Sequence, residues 1–197
     1  MKTLKKRPVA CLIALLIVLA SLVFGVNRSL AQQVTAVNDQ FHLGVFDEET
    51  GQRRTSIHSQ LDRRITGTLR ILAIGDLNLR YGESFQALHG PATDLREARE
   101  TLRDLLEAGA SPRALFQADQ TLTIALDRYY ALLHPLVSAE TLQTLEEEYE
   151  AIVRAAQYIT ESGYNEAVGA FNRTIWGQFP VSLLRAVIFV QPPEMFA

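Results

Sequence analysis

The sequence predicts an all-α protein: a single N-terminal transmembrane helix followed by an antiparallel bundle of helices. Three observations carry this. Residues 8–26 form a run of 19 residues without a charge. Behind it, apolar residues recur every three or four positions in one stretch after another, the period of a helix with one buried face. No stretch shows sustained period-two alternation with β-branched enrichment, the mark of a half-buried strand.

The N-terminal run comes first because it decides the compartment. As a helix, residues 8–26 would span roughly 28 Å, about the hydrocarbon thickness of a bilayer. Twelve of the 19 are Leu, Ile, Val or Phe, so insertion is favoured by several kcal/mol, on the order of half a kcal/mol for each such residue. Lys2, Lys5, Lys6 and Arg7 precede the run and only Arg28 follows it closely. The positive-inside rule then keeps residues 1–7 cytoplasmic and puts the body outside, in the cell (inner) membrane of a single-pass protein. The rival is a signal peptide cleaved after Ala31, where Ser29-Leu30-Ala31 offers small residues. The run is longer than the usual h-region and Arg28 sits inside the cleavage region, so the sequence favours the uncleaved anchor. Cys11, the single cysteine, excludes a disulfide framework and a cysteine-based zinc site, and reads as a small apolar residue in the membrane.

The body is then read helix by helix. Residues 30–41 hold few breakers and continue the first helix, and 42–55 is a loop by composition. Thr55 or Ser56 can cap a helix whose seam is Ile57, Leu61, Ile65, Leu69 and Leu72. Glycines 75, 82 and 90 with Pro91 obscure the stretch 75–92, after which Thr93-Asp94, with Glu97 in capping-box position, opens another helix that Gly109 closes. Ser111-Pro112 is an N-cap followed by proline at the first helical position. Leu115, Ala118, Leu122, Ala125, Tyr129 and Leu132 form its seam, and His134-Pro135 ends it. Ser138 caps the last and longest helix, expected to reach Trp176 through Leu145, Tyr149, Ile152, Ala156, Ile159 and Gly163, then Tyr164, Val168, Phe171 and Ile175. The apolar segment 181–190 is too short to span a bilayer and is expected to fold back on the bundle rather than lie in the membrane surface.

Chemistry is sparse. From residue 27 onward the chain holds 15 basic residues, all Arg, against 22 acidic ones. A body that acidic lacks the concentrated basic face that nucleic acid needs. None of His42, His58, His89 or His134 follows a Glu by three residues, so the Glu-x-x-His pairs of a di-iron bundle are missing. Asp39-x-x-His42 stands alone. Glu146, Glu147, Glu148 and Glu150 point in several directions on a helix and read as a solvated face. Neither a Gly-x-Ser-x-Gly elbow nor a phosphate loop occurs. Arg63-Arg64 reads as surface charge with helical pairing, the alternative being a clamp for a lipid or partner carboxylate. Asn165 and Asn172, seven apart, are expected to hydrogen-bond across helices, the alternative being ligand binding.

Tyr164-Asn165-Glu166-Ala167-Val168-Gly169-Ala170-Phe171-Asn172, then Ile175 and Phe179-Pro180, resembles the C-terminal signature of the LemA family, YN-x-x-V-x-x-(Y/F)N followed by FP and a closing aromatic. Phe189 and Phe196 fit the tail, and Leu142 to Glu150 and Ser59 to Arg64 are similar to upstream parts of the family. The clearest similarity covers the C-terminal 85 residues or so, whereas 42–55 and 75–92 interrupt what is usually one long helix. The resemblance implies a bacterial protein with an N-terminal anchor (8–26) and an extracytoplasmic four-helix bundle (56–197). It also implies that Tyr164, Asn165, Val168, Phe171, Asn172, Phe179 and Pro180 are a structural signature and not an active site. The expectation is a non-catalytic interaction or scaffold module of the cell envelope, with no cofactor and no metal. Its expected partners are membrane lipid through 8–26 and an envelope or membrane protein, with self-association open. The alternatives are a metal-binding or enzymatic bundle, or a periplasmic lipid-interacting bundle released by signal cleavage.

Overall fold

The computed structural model describes residues 6–78 and 83–197. Lys2, Lys5 and Gly82 lie outside the described residues. Among the described residues the fold is all-α apart from one two-stranded hairpin: α1 (Lys6–Leu43), β1 (Phe46–Asp47), β2 (Gln52–Arg53), α2 (Ile57–Asn78), α3 (Glu83–Glu107), α4 (Pro112–Leu133), α5 (Ala139–Thr160), α6 (Tyr164–Phe171) and α7 (Val181–Leu184). A π turn, Asn172–Trp176, follows α6. The chain divides into two compact units: α1 up to Asp39 with Ala167–Pro193, and Gln40–Glu166 with Glu194–Ala197.

In the first unit α1 is one uninterrupted helix, as the sparse breakers before Phe41 predict. Its Val9–Leu43 portion is long and apolar enough to cross a membrane. The side chains from Val9 to Leu22 are all exposed, with Leu12, Leu16 and Ile17 at 56–61%. Past Val26 the same helix acquires a buried seam. Leu30 and Val34 pack with Phe171 and Val181, flanked by Val26, Val37, Ile175, Trp176, Ile188 and Val190. The tail segment therefore folds back on α1, not on the helices expected to receive it.

In the second unit α2 packs along α5, α3 along α4, and α2 also against α3. The pairings run in opposite chain directions. Arg64 reaches the Ile152 carbonyl while Arg70 reaches Glu148. Arg99 reaches the Ile65 carbonyl while Arg96 reaches Asp76. The core comprises Ile57, Leu61, Ile65, Ile71 and Leu72 of α2, Leu95 and Leu102 of α3, Leu115, Leu122, Leu126 and Leu133 of α4, and Leu145 and Ile152 of α5. Gly67 faces α5 without room for a side chain: a Cβ there would lie 2.6 Å from the Ile152 Cγ1.

The serine caps and the glycine end at 109 form as the sequence predicts, whereas the capping box expected at Asp94 and Glu97 does not, since both lie inside α3. Ser56, Ser111 and Ser138 each accept a backbone N–H three residues on. Gly109, at φ +64°, ends α3 with Ala110 N–H bonded to the Leu105 carbonyl. Four expectations are corrected. Helix α3 starts at Glu83, runs through Pro91 and holds Thr93 in its interior, where the hydroxyl donates to the His89 carbonyl. Proline removes one helical bond, and burial of Leu88, Ala92 and Leu95 on either side of it holds the turn together. Leu69 is half exposed; Thr68 and Ile71 take its place in the seam. Ala125 and Leu132 likewise yield to Leu126 and Leu133. The last helix does not reach Trp176: α5 stops at Thr160, and Gly163 at φ +78° turns the chain before α6, a conformation that residues with a Cβ rarely adopt.

The loop after α1 holds the hairpin, Phe46 facing Arg53 and Asp47 facing Gln52. The Asp47 carboxylate accepts the Glu49 and Thr50 N–H groups, which hold it below its ordinary range. Arg54 joins Asp47 to the Glu161 carbonyl at the end of α5. Beside this, the His42 and His58 rings lie 5.1 Å apart. Burial, then the charge of His42, lower the His58 pKa from its ordinary 6.5, with Asp62 opposing. A histidine whose folded pKa is lowered takes up fewer protons folded than unfolded. Its stabilisation is present above about pH 6.5 and is lost as pH falls through the folded-state value. Thermal melting between pH 7.5 and pH 5 should show a smaller acid loss in His58→Gln than in the parent protein.

Candidate functional site

The signature residues divide between the two units. In the second, Tyr164 and Asn165 hold the chain end. The Tyr164 hydroxyl donates to the Glu194 carbonyl at 3.0 Å, and burial pushes this phenol up to about 12. The Asn165 amide donates to the Phe196 carbonyl at 3.0 Å and accepts the Phe196 N–H at 2.8 Å, a side chain imitating a strand partner. Phe196 is thereby buried, edge-on to Phe116 at 5.3 Å. Asn165 thus bonds to a backbone segment instead of to a neighbouring helix. In the first unit Val168 and Phe171 are buried, while Phe179 and Pro180 are exposed. Asn172 is partly buried, and its Oδ1 has no hydrogen-bond partner.

Arg63 and Arg64 separate completely. Arg63 is exposed, but Arg64 is 2% exposed. Its Nε donates to the buried Asp119 carboxylate of α4 at 2.7 Å, one Nη to the Thr123 hydroxyl and the other to the Ile152 carbonyl of α5. The surface-charge reading of Arg64 is therefore corrected: it is a carboxylate clamp, and the carboxylate is internal. Burial raises the Asp119 pKa against the opposing pull of Arg64. Asp119 also lines a cavity of about 340 Å³ with Phe116, Thr123, Asn165 and Phe196. The signal was present in the spacing: Gln60, Arg64 and Thr68 recur every four residues among apolar neighbours, and all three are buried.

The larger concavity lies between α2 and α5. It measures about 560 Å³ and is lined by Gln60, Asp62, Arg63, Thr66, Gly67 and Arg70 of α2 and by Glu148, Ala151, Ile152, Arg154, Ala155 and Tyr158 of α5. Ala151 borders this space with a small exposed side chain, while the room beside Gly67 is taken by Ile152. Arg70 is bound to Glu148 at 3.0 Å and Arg154 to Glu150 at 3.1 Å. Gln60 is fully buried, and neither its amide nitrogen nor its amide oxygen has a partner. An unpaired buried amide costs about 1–3 kcal/mol, so a ligand offering one donor and one acceptor would recover that cost here. The guanidinium groups above it suit a carboxylate.

The acidic run does not converge. Glu146 meets His134, Glu147 the Gln143 amide, Glu148 Arg70, and Glu150 Arg154. Among the described residues no group of three or more His, Cys, Asp or Glu could hold a metal ion. No protein-family model, no curated protein and no solved structure matches the chain.

Breaking a buried ion pair on one side leaves an unpaired charge, at about 3–5 kcal/mol, whereas apolar replacement of both partners is often near neutral. Arg64→Met should therefore lower the urea-unfolding free energy by that amount, and Arg64→Met with Asp119→Leu should recover most of it.

Proposed function

We propose that this chain is a membrane-anchored, non-catalytic interaction module of the bacterial cell envelope, with a LemA-like arrangement of α2–α5 as its four-helix bundle. Residues 8–26 lie in the membrane, the basic N-terminus is cytoplasmic, and the bundle stands outside the cytoplasm, as the positive-inside rule requires. One observation carries the anchored reading. Helix α1 is uncovered along Val9–Leu22, yet packs closely with the chain's own tail from Val26 onward. Cleavage after Ala31 would remove Leu30, which is 2% exposed, and leave Phe171 and Val181 without part of their cover.

The surface offered to a partner is the α2–α5 groove. Its chemistry fits an extended acidic peptide segment. The Gln60 amide pairs with a peptide group, the small side chain of Ala151 lets a backbone approach, and Arg63 receives a carboxylate. The competing enzymatic or metal-binding reading needs buried ligands in addition to this groove.

A photo-crosslinker at position 63, on full-length protein in cells, should give a discrete adduct that a crosslinker at exposed Arg113 does not give. Gln60→Leu should abolish that adduct while leaving stability equal or higher, because the unpaired amide is gone. Adducts of equal yield from both positions would contradict the groove reading. Stoichiometric iron, manganese or zinc in the purified protein would favour the metal-binding alternative.

A further inference from the structure

The tail that covers α1 presents a second, outward side. Asn27 is the first strongly polar side chain after the uncharged run. Its amide donates to the Val23 carbonyl at 2.9 Å and to the Val187 carbonyl at 3.2 Å, and its Oδ1 accepts the Phe189 N–H at 2.9 Å. These bonds pin residues 187–189 beside the last turn of the apolar run. Ile188 and Val190 turn inward onto the seam of α1. Phe189, by contrast, is 88% exposed, Phe179 79% and Leu183 74%. Exposed large apolar side chains gathered in one unit mark a contact surface.

Charge singles out the occupant. Residues 8–38 and 167–193 contain three arginines, Arg28, Arg173 and Arg185, and no acidic residue. Of the 22 acidic residues of the chain only Asp39, at the boundary, belongs to this unit, so the unit is net cationic in an acidic protein. Aromatic rings and arginines level with the end of a membrane-spanning helix are what the bilayer interface selects. The rings enter the acyl boundary, and the guanidinium groups meet lipid phosphates. A hydrogen-bonded residue at position 27 lies about one residue, roughly 1.5 Å of helix rise, past the run's last apolar residue.

We propose that residues 179–189 are a second membrane contact, lying in the headgroup–acyl boundary with Phe179, Leu183 and Phe189 inserted and Arg28, Arg173 and Arg185 facing anionic lipid. This rests on the reading of 8–26 as a retained membrane anchor, and it goes further by making the tail a lipid-binding element. The consequence is a collar: the same segment that buries Leu30 and Val34 also fixes the depth and tilt at which α1 leaves the bilayer.

Spin labelling tests it in the full chain, reconstituted in vesicles of phosphatidylcholine and phosphatidylglycerol. In a Cys11→Ser background, nitroxides are placed through Leu16→Cys, Leu183→Cys, Phe189→Cys and, as a solvent reference on α2, Leu69→Cys. Collision with oxygen, which partitions into lipid, is compared with collision with a water-soluble nickel chelate. The ratio of oxygen to nickel accessibility is expected to be several-fold higher at 16, 183 and 189 than at 69. A high ratio at 16 with ratios at 183 and 189 equal to that at 69 overturns the tail contact and leaves the anchor intact. A low ratio at 16 overturns the anchor reading itself. Labels at 183 and 189 shielded from both reagents would also overturn the proposal, since protein and not lipid would then cover the tail.

Discussion

From Val9 to Leu22 helix α1 turns large aliphatic side chains outward on every side, and nothing else among the described residues covers them. At about 25 cal/mol per Å² of apolar surface, such a helix is strongly driven out of water. That drive changes character within one turn. From Val26 onward the apolar positions narrow to a seam, and the seam is filled by Phe171, Val181, Ile188 and Val190 from the other end of the chain. One helix thus does two jobs. Its first half seeks an apolar solvent, and its second half is the packing partner without which the tail has no core. The chain joins these sequence-distant segments into a single unit that includes α6 from Ala167 onward and the π turn.

The other unit is organised around a different cost. A guanidinium and a carboxylate are taken out of water at Arg64 and Asp119, and the penalty is offset because each of the three guanidinium nitrogens finds an acceptor on α4 or α5. This couples three helices through one residue and restricts how α2 can slide on its neighbours. Gln60, one helical turn earlier, receives no such compensation. Within a core that satisfies its arginine so fully, an unsatisfied amide at the edge of an open groove is the outlier. For that reason the groove, and not the acidic run of α5, is where we place partner binding.

Much of the architecture was legible in the residues. The apolar run, the serine caps at 111 and 138 and the stop at His134-Pro135 are local signals, and local chemistry decides them. What escaped depends on tertiary contact. Pro91 looks like a helix boundary, yet buried neighbours on both sides outweigh one lost hydrogen bond. Gly163 looks like a small seam residue because the apolar period resumes after it; only its positive φ shows that it is a turn. Arg64 read as surface because charge outranks position in a pattern of apolar residues, although it stands at the four-residue spacing of the seam. The roles of Asn165 and Asn27 were not readable at all, since each binds backbone more than 30 residues away or at the far end of the chain.

The central claim is that α1 is retained whole, because its membrane half and its packing half are one helix. Intact mass and N-terminal sequencing of the protein extracted from membranes address it most directly. The account predicts a chain that still carries residues 8–31. A mature chain beginning at Gln32 would contradict it, for the seam of the first unit would then have lost Val26 and Leu30 and the tail its bond to Asn27.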